Sequence, residues 1–155
     1  MTTPRIRNPH ALAPEAIKAM LALEESFAAG GLEQSLRDLV KLRASLINQC
    51  AFCIHLHSTH LREAGEGEMR LYMLNAWRES SLYSPRERAA LGWTDSLTRL
   101  AETGAPDGDY EAVKAEFSDA EQVQLTLLIG AINSWNRLQV GFRVAHPVDR
   151  ARAAA

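Results

Sequence analysis

The sequence predicts an all-α fold, a compact bundle of about six to seven helices. Three observations carry that expectation. Apolar residues recur at helical spacing along most of the chain, and no run shows the strict alternation of a half-buried strand. Two Ser-x-x-Glu boxes also stand directly ahead of apolar segments. Taken in order, Pro14 opens a helical pattern through Ile17, Met20, Leu21 and Phe27 that the Gly30-Gly31 pair stops. The run LEQSLRDLVKLRASLI then sets Leu32, Leu36, Leu39, Val40, Leu46 and Ile47 on one face. Asn48 occupies the expected N-cap of the next helix, which runs to about Gly65. A shorter helix is expected over MRLYMLNAW. Ser84-Pro85-Arg86-Glu87 opens a helix to Leu100, and ETGAPDGD reads as a loop. Ser118-Asp119-Ala120-Glu121 opens the last and longest helix, which ends at His146-Pro147 before a frayed ARAAA tail.

The composition narrows the function classes. A 46% hydrophobic and 23% charged share is ordinary for a globular protein, and residues 1–155 are expected to form one domain. A net charge of −2 gives no reason to expect nucleic acid or anionic lipid as a partner. No apolar stretch is long enough for a secretory signal or a membrane span, so a cytoplasmic location is expected by default. In that compartment, a close cysteine pair reads as catalytic or metal-binding rather than as a structural staple.

Both cysteines and three of the five histidines fall in one stretch, NQCAFCIHLHSTH. On a helix, Cys50, Cys53, His57 and His60 lie within an arc of about 80° that shares the apolar face, while His55 points away. Three reactive groups at one-turn spacing on one face seldom arise from packing. His60, by contrast, reads as an ordinary structural histidine, as do His10 and His146 near the ends. A zinc site built from the four stripe residues fails on distance: Cys50 and His60 are about 15 Å apart along the helix, far beyond the reach of ~2.0–2.3 Å ligand bonds. No metal is therefore expected. A redox dithiol fits better. His57 is one turn from Cys53 and can accept its proton, so Cys53 is expected to be the nucleophile. The helix dipole alone would favour Cys50. A disulfide between the two requires Cys50 to sit at the cap, outside regular helical geometry.

With those residues in view, the chain resembles the alkylhydroperoxidase D (AhpD)-like branch of the carboxymuconolactone decarboxylase superfamily. The resembling block is RDLVKLRASLINQCAFCIHLHSTHLREAGE, followed by RLYMLNAWRESSLYSPRERAAL, so that it spans about residues 36–100; INSWNRLQVGFRVAHP looks like the family's closing helix. The resemblance implies an all-helical fold that assembles as trimers or hexamers. It also implies a thiol peroxidase in which Cys53 attacks the peroxide, Cys50 resolves the sulfenic acid and His57 serves the proton relay. The family's relay carboxylate, a glutamate twelve residues before the first cysteine, is replaced here by the shorter Asp38. Off the apolar stripe, Asp38 reads equally well as a solvated helix charge. His55 stands where the family commonly carries an acidic residue.

No Gly-x-Gly-x-x-Gly fingerprint is present, so no flavin or nicotinamide cofactor is expected. Electrons are then expected from an external dithiol, lipoyl-type or thioredoxin-like. The alternatives are a γ-carboxymuconolactone decarboxylase-like enzyme, which would leave the dithiol unexplained, and a non-enzymatic redox-sensing helical assembly protein. Arg43 falls among apolar positions and is expected to find a buried partner. Asn133, Asn136 and Arg137 interrupt an apolar helix and read as structural hydrogen-bonding groups. Trp77, Trp93 and Trp135 read as core.

Overall fold

A computed structural model describes residues 3–146 and Val148, and among these all regular structure is helical. The elements are α1 (Pro14–Ser26), α2 (Gln34–Ile47), α3 (Ala51–Glu63), α4 (Glu68–Met73), α5 (Pro85–Thr98), α6 (Leu100–Thr103), α7 (Asp107–Glu116) and α8 (Asp119–Phe142). Short 3₁₀ turns cover Pro9–Leu12, Phe27–Ala29 and Leu74–Ala76. The all-α expectation holds. Both capping boxes form as the sequence predicts: Ser84 and Ser118 accept the amides of Glu87 and Glu121, whose carboxylates reach back to the serine amides at 2.8 Å.

The organising element is α2. It packs against α3, α5 and α8, and between Leu36 and Ser45 only Lys41 escapes full burial. Leu36 and Val40 enter one core with Phe117, Leu125, Leu128 and Ile129; Leu39 and Leu42 enter a second with Leu61, Leu74, Trp77 and Leu91. Arg43 has the buried partner its position demands. Its guanidinium grips Asp95 of α5 through two bonds of 2.6 and 3.1 Å and donates to Asn75 at 3.0 Å.

Three expectations are corrected. ETGAPDGD is not one loop: the chain turns at Gly104 and Ala105, and α7 begins at Asp107. Pro106 pre-sets the entry to that helix, and Asp107 and Asp109 suit its positive end, which outweighs the helix-weakening Gly108. Nor does Asn48 cap the cysteine helix. It ends α2 instead, followed by Gln49 in the left-handed region at φ 53°. The amides of Gln49 and Cys50 return to the carbonyls of Leu46 and Ser45 at 3.2 and 3.0 Å, the double bond of a Schellman closure. Glycine usually holds that turn, so a glutamine there gives no sign of the break. The last helix stops at Phe142, with Arg143 left-handed at φ 52°. Pro147 and the ARAAA tail lie outside the described residues.

Candidate functional site

The Schellman turn makes Cys50 the N-cap of α3. Its backbone is extended (φ −85°, ψ 91°), and its sulfur accepts the Cys53 amide at 3.4 Å. The cap placement that a Cys50–Cys53 disulfide requires is thus met by Cys50 itself, while both thiols are free and buried. Behind them sits a polar brace. Asn48 donates to both Asn133 and Asn136 at 2.9 Å, Asn136 donates to Ser45 at 3.1 Å, and Asn133 donates to Thr98 at 3.1 Å. These bonds tie the end of α2 to α8 and α5. Arg137 donates to the Asn133 carbonyl at 2.9 Å.

The two sulfurs ionise unequally. A hydrogen bond from the Cys53 side chain, helped by the Cys53 and Phe52 amides and by Asn136, outweighs burial and lowers the Cys50 thiol to about 7. Cys53 moves the other way, held protonated by its bond to Cys50, by burial and by the charge on Cys50. The sequence expectation was the reverse, with His57 making Cys53 the more acidic. No hydrogen bond joins Cys53 to His57 among the described residues, and the helix-end amides converge on Cys50; the capping geometry prevails over the imidazole.

Only Cys53 of the pair faces open space. It lines a cavity of about 480 Å³ between α1, α2, α3 and α8. Ile17, Leu21, Phe52, Leu56, Ile132 and Trp135 supply an apolar wall, and Asp38, His57 and His60 a polar corner. Asp38 is 5% exposed and accepts Gln34 Nε2 at 2.7 Å, so the solvated-charge alternative is ruled out. One ligand atom each from Asp38, His57 and His60 falls within 4.8 Å of the others, with no direct hydrogen bond or ion pair between them. His57 is 7% exposed, and its Nδ1 is buried without a hydrogen-bond partner. Burial first, then positive Lys41 and neighbouring His60, push the His57 ring down to about 3, so it is neutral at pH 7. Lys41 in turn pairs with Glu24 at 2.5 Å.

A family model described as the carboxymuconolactone decarboxylase family matches residues 14–96. The chain belongs to that family. Among its relatives, the uncharacterized protein YdfG of Bacillus subtilis is 39% identical over 129 residues, which is 83% of this chain and 88% of YdfG. A crystal structure of a protein of unknown function from Agrobacterium tumefaciens, suggested to be the antioxidant-defence protein AhpD, is 50% identical. It superposes with a TM-score of 0.89, covering 94% of this chain and 99% of that one. An uncharacterized peroxidase-related protein from Ralstonia eutropha with an alkylhydroperoxidase AhpD core has a TM-score of 0.76 at 20% identity, over 88% and 73% of the two chains, and shows the fold alone. The chain is an AhpD-like member of the family, as the resemblance implied.

Sequence reasoning missed two lining residues. Trp135 is not core: it faces the cavity, with the His10 ring edge-on at 6.0 Å between centroids. His10 lies on a 3₁₀ turn beyond the reach of helical periodicity, and no local signal brings it to the site. Trp77 is core as expected, its indole donating to Asp95 at 3.3 Å, and Trp93 is half-buried with its indole on Thr126 at 3.0 Å. His55 meets His146 edge-on at 4.8 Å between ring centroids, away from the cavity.

Proposed function

We propose that the protein is a thiol-dependent peroxidase of the alkyl hydroperoxide reductase type, acting in the reducing cytoplasm. The observation that carries this reading is a hydrogen-bonded dithiol with one sulfur on a largely apolar cavity and the other buried behind it.

Cys53 passes its proton to the Cys50 thiolate across their shared hydrogen bond and attacks the terminal oxygen of a hydroperoxide. The O–O bond breaks, Cys53 becomes a sulfenic acid, and the alkoxide leaves. Asp38 and the His57 ring are spaced to hold one water between them; this water protonates the alkoxide, and the hydroxide left is restored to water by the one proton taken up from solvent. Cys50 ionises again readily, because its pKa lies near 7. It attacks the Cys53 sulfur, closing the disulfide and releasing hydroxide, which leaves as water. From the state with one shared proton, the cycle consumes a hydroperoxide and one proton and yields an alcohol, water and a disulfide. An external dithiol, lipoyl-type or thioredoxin-like, returns the two electrons. A trimeric or hexameric assembly belongs to the same proposal.

The test is the Cys50→Ser protein treated with one equivalent of an organic hydroperoxide. A single oxygen added at Cys53, trapped by a sulfenic-acid reagent, is expected, and Cys53→Ser should consume none. Both variants unmodified, or turnover of a γ-carboxylactone by a Cys50→Ser/Cys53→Ser protein, would overturn the assignment in favour of a decarboxylase.

A further inference from the structure

We infer that Asp38, His57 and His60 form a binding site for one divalent cation of the zinc class. Two imidazoles and a carboxylate are a donor set suited to such an ion, and three protein ligands leave a position for water. The set comes from two elements that the fold holds together: His57 and His60 lie one turn apart on α3, and Asp38 faces them from α2. Four donors strung along a single helix lie too far apart for one ion, whereas two donors one turn apart on α3 and a third on α2 do not.

Two independent observations point to a ligand. The three donor atoms converge within 4.8 Å. His57, 7% exposed, lines that corner, and its buried Nδ1 has no hydrogen-bond partner among the described residues, although a buried imidazole nitrogen ordinarily has one. Donors around an ion at ~2.0–2.2 Å sit roughly 3.4 Å apart, so the cluster, spread over up to 4.8 Å, must close by up to about 1.4 Å. Exposed His60 has the freedom to make that movement, and the Gln34 amide already orients the Asp38 carboxylate. Lys41, which lines the same cavity, is engaged by Glu24 at 2.5 Å, so the corner is not left with unopposed positive charge. Binding stands independently of the peroxidase reading. If that reading also holds, the ion displaces the relay water and turnover stops until it is removed.

The experiment titrates zinc by calorimetry, and cobalt by visible absorption, into the full chain carrying Cys50→Ser and Cys53→Ser, so that the thiols cannot contribute. One ion per chain is expected, weakened at least about tenfold by adding His60→Ala or Asp38→Asn. His60 is exposed, so its loss leaves the fold intact, as circular dichroism should confirm. The proposal is overturned if the double serine protein binds no ion saturably, or if His60→Ala binds as tightly as its parent. A parallel cobalt titration of the unmodified chain should show no thiolate-to-metal charge-transfer band; a strong band there, with binding lost in the double serine protein, would place the ion on the cysteines instead.

Discussion

Cys50 and Cys53 differ by three positions in sequence and by the sign of their pKa shift. Cys50 terminates a helix and collects amide donors, while Cys53 sits inside the first turn and donates to it. The acidic thiol is thus the one that does not line the cavity, and the thiol that meets the cavity is its proton donor. Alkylation of Cys50 followed against pH should therefore show a midpoint near 7. In Cys53→Ala the strongest stabilising bond is lost, and the midpoint should climb toward the ordinary thiol value of about 8.5. An unchanged midpoint would mean that the backbone amides alone set it. The same asymmetry bears on stability. A thiol whose pKa is lowered in the folded chain adds stability that builds up as pH rises from the folded value to the unfolded one and stays complete above it. The Cys50 contribution should therefore be complete above about 9 and disappear as pH falls through about 7. Spacing shows which groups share a face, but not which sulfur the helix end favours, because that depends on a boundary one or two residues away.

At the scale of elements, the boundary in question is the α2–α3 turn. Its left-handed residue is Gln49, and a side chain in that conformation costs ~1 kcal/mol or more relative to glycine. Gln49→Gly should raise stability by about 0.5–1 kcal/mol after the larger chain entropy of glycine is counted, read as a higher urea midpoint. A loss of stability would show that the exposed glutamine side chain contributes something its surroundings do not reveal. Where a terminus carries its own chemistry, as at Ser84 and Ser118, the sequence is enough to locate it. Where the stop depends on a strained non-glycine residue, or the start on Pro106 with a glycine two residues later, it is not. The burial of Asp38 was illegible for a related reason. A helical wheel assumes one wet face, whereas α2 is surrounded, so that a carboxylate off its apolar stripe still lies inside the protein.

Across the whole molecule, α2 is a buried axle carrying two cores, and Arg43–Asp95 locks it to α5. Both partners are almost fully buried, and Trp77 and Asn75 complete their hydrogen bonds. Asp95→Ala should cost about 3–5 kcal/mol in urea unfolding by stranding a buried guanidinium, and Arg43→Met added to it should restore a good part of that loss. Equal destabilisation by the single and double changes would contradict this account. The all-helical class was legible because periodicity survives in every long segment; the cavity was not, because it gathers His10, Asp38, Cys53 and Trp135 from four elements that only packing brings together. Among the described residues no helix is long and apolar enough to cross a membrane, which agrees with the absence of a spanning segment in the sequence. The claim on which the functional account rests is that the two sulfurs act as one two-electron unit. Thiol counting before and after one equivalent of an organic hydroperoxide, with mass analysis of the Cys50–Cys53 peptide, tests it most directly. The account predicts that both thiols vanish together and that the peptide loses two hydrogens to an internal disulfide. Two thiols still titratable in the folded protein after the peroxide has been added would contradict it.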